Sequence, residues 1–316
     1  MTTNSYFAFA RHALVAGFKQ AGVAPGDEIA VPELICRDVL ASISAVGAVP
    51  RFYPVDRNLN PIDQGSSKSA RVVLMVNYFG FPQKVLNFSN LWPNAILFED
   101  NAHGFLSQDS DGVPLGSRTN FGITSIRKTL RLPEGAILST TDELESQFQD
   151  PIAVRNPRMS FRLRVAVAAV EKQSHIPIQQ VSRVAVRGIR KLRTGSTLPE
   201  STPVTESLLP GPRGISHWSV NQIEALNQDA EVGRRRDLYA QFATQDWANS
   251  IQPVFESLPE GCCPYGFPFY ASESPRNIRS LARRLRCEII SWPDLPSAVV
   301  VPPHHFYRLL KVVNFL

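Results

Sequence analysis

The chain has 316 residues, of which 43% are hydrophobic and 19% are charged, a composition typical of a globular protein and not of a disordered one. No apolar run is long enough for a transmembrane helix, and Met1–Tyr6 lacks the basic start of a signal peptide. The cysteines have neither zinc-site nor disulfide-framework spacing, so we expect reduced thiols and a cytoplasmic protein. They are Cys36, Cys262, Cys263 and Cys287.

The net charge of +5 is unevenly distributed. Between Arg155 and Arg193 ten basic residues are accompanied by a single acid, Glu171, and the pattern predicts a helix over Phe161–Lys172. Such a block is typical of sites for nucleic acid, acidic lipid or a phosphorylated substrate, and equally of a solvated helical face. Phe161 is its only aromatic residue, so the base-stacking signature of nucleic-acid binding is absent. We therefore expect no nucleic-acid partner.

The first half of the chain alternates between helical and strand-like patterns. Helical spacing occurs at Phe9–Ala21 and Arg37–Val46. Repeated β-α-β units imply an α/β fold of three layers, in which helices cover a doubly wound, mostly parallel sheet. The predicted strands are Glu28–Val31, Val49–Val55, Arg71–Tyr78, Ala95–Glu99 and Ala136–Ser139.

The second half is less regular. Thr194–Pro212 is rich in proline and serine, which predicts a connection. One helix is predicted from Asn221 to about Ala243 and another near Pro275–Leu285, with short strands after Pro264. The predicted organisation is a large α/β domain, residues 1–215, and a small C-terminal α+β domain, residues 216–316.

Three polar residues follow the predicted strands at positions where chemistry is expected. Asp100 comes directly after an apolar run, His103 lies three residues later, and Lys128 precedes the turn Pro133–Gly135. Ligands of open parallel sheets bind at the carboxyl ends of the strands. Each residue type is also common in purely structural roles. The residues alone therefore predict only an α/β protein with a polar cluster at its strand ends.

Several motifs, read in order, resemble the sugar aminotransferase family of the DegT/StrS type, which are fold-type-I enzymes that use pyridoxal 5'-phosphate (PLP). The resemblance is most specific around Asp100 and Lys128 and covers roughly residues 6–143. The similar stretches are Val23–Pro32, Gly47–Asp56, Asn77–Gly80, Glu99–Gly104 and Ser125–Gly135.

The resemblance implies a role for each member of the polar cluster. Lys128 would form the Schiff base with PLP and shuttle protons at the substrate α-carbon. Asp100 would pair with the pyridine nitrogen and keep it protonated, so that the ring acts as an electron sink. His103 would lie near the phenolic oxygen of the ring, where many relatives have glutamine.

The phosphate-binding turn departs from the family pattern. Relatives begin the first helix with a serine-glycine turn, whereas this chain has Phe9, Ala10 and Arg11. The phosphate would then rest on backbone N–H groups near Ala10, on Arg11 or on Ser125. Relatives also place an aromatic ring within the segment Glu33–Cys36, where Ile35 would pack on the cofactor without stacking.

The resemblance implies a homodimeric PLP-dependent aminotransferase with active sites at the subunit interface. Its reaction would transfer an amino group from glutamate to a nucleotide-linked keto-sugar, in polysaccharide or secondary-metabolite biosynthesis. One alternative is a PLP enzyme of another class, such as a sugar dehydratase, in which histidine replaces the lysine; Lys128 speaks against it. Another is a non-catalytic descendant that kept the scaffold, which the altered turn at Phe9 motivates.

Overall fold

The computed structural model describes residues 2–62, 69–141, 203–209, 214–247 and 250–316, together with 156–157, 159, 161–162 and 211. Most of the basic block 155–193, and with it the predicted helix Phe161–Lys172, lies outside the described residues, as does most of the predicted connection Thr194–Pro212. Within the described part, none of the helices has the length and hydropathy needed to cross a membrane.

Seven strands form the larger sheet. In space they lie in the order β1-β7-β6-β5-β4-β2-β3, with β6, β5, β4, β2 and β3 mutually parallel. The strand β7 runs antiparallel to both of its neighbours. This confirms the predicted α/β fold with a mostly parallel sheet. The strands are β1 (Thr2–Phe7), β2 (Glu28–Pro32), β3 (Val49–Tyr53), β4 (Val72–Val76), β5 (Ile96–Asn101), β6 (Phe121–Thr124) and β7 (Ala136–Thr141).

Sequence patterns located the central strands and missed two others. All five residues of β4 are buried, as expected of a parallel strand covered on both faces. The missed strands have weaker signals, since β1 is polar and half exposed and β6 has only four residues. The strand β6 leads into the turn that carries Lys128, the predicted Schiff-base residue.

Seven helices of the described part accompany the sheets: α1 (Ala10–Gln20), α2 (Asp38–Ala45), α3 (Val85–Leu91), α4 (His217–Glu224), α5 (Gln228–Ala243), α6 (Arg276–Arg284) and α7 (Phe306–Leu309). The prediction of one continuous helix from Asn221 to Ala243 is wrong. The chain breaks between α4 and α5, and the Asn227 side chain caps α5 by accepting the Ala230 N–H at 3.0 Å.

Helix α1 packs closely against the sheet and thereby directs its N-terminus to the functional edge. Its buried face includes Leu14 and Phe18. At Gly17 an added Cβ would come within 2.6 Å of the Phe98 ring on β5, so the close approach of helix and strand requires glycine there. Because Phe98 lies two residues before Asp100, this contact sets the distance between the start of α1 and the end of β5.

A second sheet is built from the C-terminal part of the chain. Its order is β10-β11-β9-β8, and all pairs are antiparallel. Buried apolar residues of both sheets belong to one continuous core. The domain boundary at residue 215 stays a prediction. The strands are β8 (Gln252–Pro253), β9 (Gly266–Tyr270), β10 (Glu288–Ser291) and β11 (Leu310–Asn314).

Candidate active site

A cavity opens at the carboxyl ends of β4, β5 and β6, between these strands and the start of α1. All six residues that the sequence predicted for the site line it. The C-terminal part of the chain also contributes to the lining, through the ring of Trp292. The predicted residues are Ala10, Arg11, Asp100, His103, Ser125 and Lys128.

Asp100 lies near the end of β5 and lines the cavity. It pairs in register with Val76 on β4 and with Ile123 on β6, and only 4% of the residue is exposed. One carboxylate oxygen, Oδ1, accepts the Ala102 N–H at 2.9 Å. Burial raises the pKa of Asp100, and the nearby Lys128 partly offsets this rise. The site therefore contains a desolvated carboxylate that a cationic group in the cavity would stabilise.

Glu99, the preceding residue, points to the other face of β5 and is fully buried. It accepts hydrogen bonds from Arg118 Nη2 at 2.5 Å and Nε at 2.8 Å, and from Asn77 Nδ2 at 2.7 Å. Arg118 also donates to Asn77 Oδ1 and to the Gln83 carbonyl, each at 3.0 Å. This satisfied ion pair anchors the end of β5 from behind.

Lys128 ends a 3₁₀ turn that follows β6, and its Nζ lies 3.2 Å from His103 Nε2. Burial, and then the charge of Lys128, lower the pKa of His103 well below its usual value, so the imidazole is neutral. The Lys128 amine can donate to Nε2 when the neutral imidazole carries its hydrogen on Nδ1. His103 is held by nearly parallel rings of Phe79 and Tyr265, with centroids at 5.6 and 4.5 Å.

Arg235, to which sequence reasoning assigned no role, supports the Lys128 turn from the opposite side. It is fully buried on α5 and donates from Nη2 to the Thr129 carbonyl at 2.6 Å. Its Nη1 reaches the Pro264 and Tyr265 carbonyls, and its Nε pairs with Glu231 at 2.8 Å. One side chain thus joins the turn that carries Lys128 to the segment that stacks on His103.

The far end of the cavity, near the start of α1, is rich in guanidinium groups. Phe9 caps α1 without a side-chain hydrogen bond. Arg11 lies over the Phe9 ring at 5.3 Å, and Arg127 lies over the same ring at 5.1 Å. Sequence reasoning missed Arg127, because an arginine beside a lysine reads as a solvated pair. Ser125 is buried nearby at the end of β6.

The residue types in the cavity fit PLP. A buried carboxylate, a lysine amine in contact with a neutral histidine, and cations beside a helix start match its pyridinium nitrogen, aldehyde and phosphate. A further observation supports the fit: Arg127 lines the cavity, and its Nε is buried without a hydrogen-bond partner. Ile35 and Cys36 line the cavity where relatives place an aromatic ring, whereas Trp292 supplies a ring from the C-terminal side.

Comparison with known proteins gives a family match and several similar folds. Residues 7–153 match the family model described as the DegT/DnrJ/EryC1/StrS aminotransferase family. The aminotransferase TlmJ from Streptoalloteichus hindustanus has a similar fold (TM-score 0.62, 20% identity, covering 98% of this chain and 80% of that chain). So does a DegT DnrJ EryC1 StrS aminotransferase from Brucella abortus (0.60, 13%, 98% and 80%). An E. coli GDP-4-keto-6-deoxy-D-mannose-3-dehydratase with bound hydrated PLP is a third (0.58, 16%, 98% and 83%).

Proposed function

Since residues 7–153 match the family model of the DegT/DnrJ/EryC1/StrS aminotransferases, we propose that this chain is a PLP-dependent aminotransferase that transfers an amino group from glutamate to a nucleotide-linked keto-sugar. The observation that carries the proposal is the meeting of Asp100, His103 and Lys128 in one cavity at the strand ends. A protein that only kept the scaffold would gain nothing from a buried carboxylate, Asp100, in the same open cavity as a lysine, Lys128.

When bound, PLP supplies the electron sink for proton removal at the substrate α-carbon. The chain's own residues hold it and move the proton. Asp100 pairs with the pyridine nitrogen, and this cationic partner offsets the burial of the carboxylate. Lys128 attaches the cofactor and carries the proton. His103, neutral and stacked on two rings, orients the Lys128 amine and would lie near the phenolic oxygen of bound PLP.

A second cavity adjoins the first at Trp292, and we assign it to the acceptor substrate. Its lining is mostly polar and includes Arg37, Asp294, Ser297 and Arg308. Charged and hydroxyl groups of this kind match the hydroxyls and phosphates of a nucleotide sugar. Support for that substrate class also comes from the fold relative whose name specifies a GDP-linked keto-sugar.

We also propose a cytoplasmic homodimer that acts in polysaccharide or secondary-metabolite biosynthesis. The four cysteines are free thiols, which suits a reducing compartment. The homodimer is carried over from the family resemblance. Light scattering coupled to size exclusion gives the mass directly, and a monomer at all concentrations would remove that part of the proposal.

The decisive experiment is covalent trapping at Lys128. Wild-type protein mixed with PLP should show an absorbance band near the visible edge, which glutamate bleaches. Borohydride should fix the cofactor to the peptide that contains Lys128, as read by mass spectrometry. Lys128→Ala should lose both signals, whereas Lys84→Ala, a change at an exposed lysine, should keep them.

Two outcomes would contradict the proposal. Wild type that never acquires the band or the trapped peptide would favour a non-catalytic scaffold. A protein that binds PLP at Lys128 but eliminates water from a keto-sugar nucleotide, without amino transfer from glutamate, would belong to another reaction class.

A further inference from the structure

The start of α1 lacks the side-chain hydroxyl that would contact a phosphate. Phe9 occupies the capping position and offers only a ring. The Phe9 carbonyl accepts the His12 N–H at 3.0 Å and the Ala13 N–H at 3.3 Å. The first N–H groups of the helix, at Ala10 and Arg11, precede these bonds and lie at the cavity. Alone they form a weak anion site.

Two guanidinium groups make up for the missing hydroxyl. Arg11 belongs to α1 and Arg127 to the turn after β6, yet both lie over the same Phe9 ring at 5.3 and 5.1 Å. Such cation–π contacts fix the position of each guanidinium while leaving its edge free for hydrogen bonds. The ring at the capping position therefore contacts both cations.

The charges of these two arginines are unevenly balanced. Arg11 has a carboxylate partner, Asp38, at 3.6 Å. In the described part of the chain, no ion pair involves Arg127, and its Nε is buried without a hydrogen-bond partner. Burial, and then the charge of Arg11, lower the pKa of Arg127. Asp38 partly offsets this lowering, but a half-buried cation that forms no ion pair and lies near a second cation is still unfavourable unless an anion neutralises it.

We propose that Arg127 is the main anchor for the phosphate group of PLP, acting with Arg11 and the first N–H groups of α1. The proposal rests on the proposed function, which supplies the cofactor, and adds a binding residue to it. A phosphate dianion offsets both positive charges and accepts the free Arg127 donor.

The anchor has a consequence for Lys128, the next residue. The Arg127 N–H donates to the Gly135 carbonyl and the Lys128 N–H to the Ser125 carbonyl, both at 3.2 Å, so both residues belong to one fixed turn. A phosphate held by Arg127 therefore places the cofactor at a set distance from the Lys128 amine. This turn would thus bind two neighbouring substituents of the same ring, the phosphate through Arg127 and the aldehyde through Lys128.

The test compares PLP with pyridoxal, which lacks the phosphate, in Arg127→Met and Arg127→Lys. We expect Arg127→Met to weaken PLP binding about 10- to 100-fold, the effect of losing one charge-assisted hydrogen bond, with pyridoxal binding unchanged. Arg127→Lys should restore part of the loss, because it keeps the charge without the planar fork. Arg57→Met is the matched control, since Arg57 lies over the Tyr270 and Phe306 rings but is exposed.

A second measurement uses inorganic phosphate and does not need PLP chemistry. Phosphate should raise the melting temperature of the cofactor-free wild type and of Lys128→Ala, but not that of Arg127→Met. If phosphate protects through Arg127 while nothing is trapped at Lys128, the proposed function fails and the anchor stands. If trapping succeeds but Arg127→Met binds PLP as wild type does, or loses PLP and pyridoxal equally, the anchor is overturned and the proposed function stands.

Discussion

Glu99 and Asp100 are consecutive carboxylates of one strand, and both are buried, yet their surroundings differ completely. Glu99, behind the sheet, receives an arginine fork and an asparagine amide. Asp100, on the cavity side, accepts a single backbone N–H at Oδ1 and has a raised pKa. Two arginines near these carboxylates differ in the same way. Arg118, behind the sheet, donates hydrogen bonds to Asn77 and Gln83 as well as to Glu99, whereas Arg127, at the cavity, keeps a buried nitrogen without a hydrogen-bond partner.

The difference teaches how to separate structural from functional charges in this molecule. A buried charge whose hydrogen bonds are complete contributes to the fold, and its removal leaves the other partner uncompensated. A buried charge that lacks partners costs stability unless a ligand supplies them. By this criterion the back of β5 is an anchor, and the cavity side is a site prepared for a molecule with a cationic and an anionic end.

The largest predicted effect concerns the back of the sheet. Arg118→Met should lower the free energy of unfolding by about 3 to 5 kcal/mol, because it leaves Glu99 buried and unpaired. Denaturant unfolding measures the loss. Arg51→Met is the control: its bond to Glu28 is equally short, at 2.5 Å, but the arginine side chain is 53% exposed, so little change is expected. Equal losses in both variants would erase the contrast between buried and exposed pairs.

A smaller effect should appear at His103 as a pH dependence. The folded state disfavours the charged imidazole and the unfolded chain does not, so the unfolded state binds more protons below about pH 6.5. Stability should therefore fall with acidification below that value, by at most about 1.4 kcal/mol per pH unit. His103→Gln should remove this contribution in urea titrations between pH 5 and 7. An unchanged slope would mean that His103 is protonated in the fold.

The smallest effect should have the opposite sign to that at Arg118. The raised pKa of Asp100 means that the folded state holds its proton more tightly than the unfolded chain. The resulting penalty is absent below the unfolded pKa and complete once pH exceeds the folded one. Asp100→Asn should thus stabilise the cofactor-free protein at pH 7 and not at pH 3, while weakening PLP binding. If Asp100→Asn instead destabilises the protein at pH 7, Asp100 is a structural charge, as Glu99 is.

Sequence patterns were sufficient for the centre of the fold because their signals are local. Continuous apolar runs marked β4 and β5, since a strand covered on both faces must be apolar throughout. Edge strand β1 and the short β6 carry too little pattern to be recognised. The break between α4 and α5 rests on one cap, Asn227, within a stretch whose spacing reads as continuous helix.

For the candidate site, the sequence by itself determined that Asp100, His103 and Lys128 would lie close together, because strand ends of a parallel sheet meet at one edge and the motifs place these residues there; their roles stay predictions from the family resemblance. Only the tertiary structure brought Arg127, Arg235 and Trp292 to the candidate site. Arg127 is distinguished from a solvated arginine by the Phe9 ring, and Arg235 by carbonyls of distant segments. Such contacts join residues far apart along the chain, and whether a charge is buried with or without a partner depends on every element packed around it.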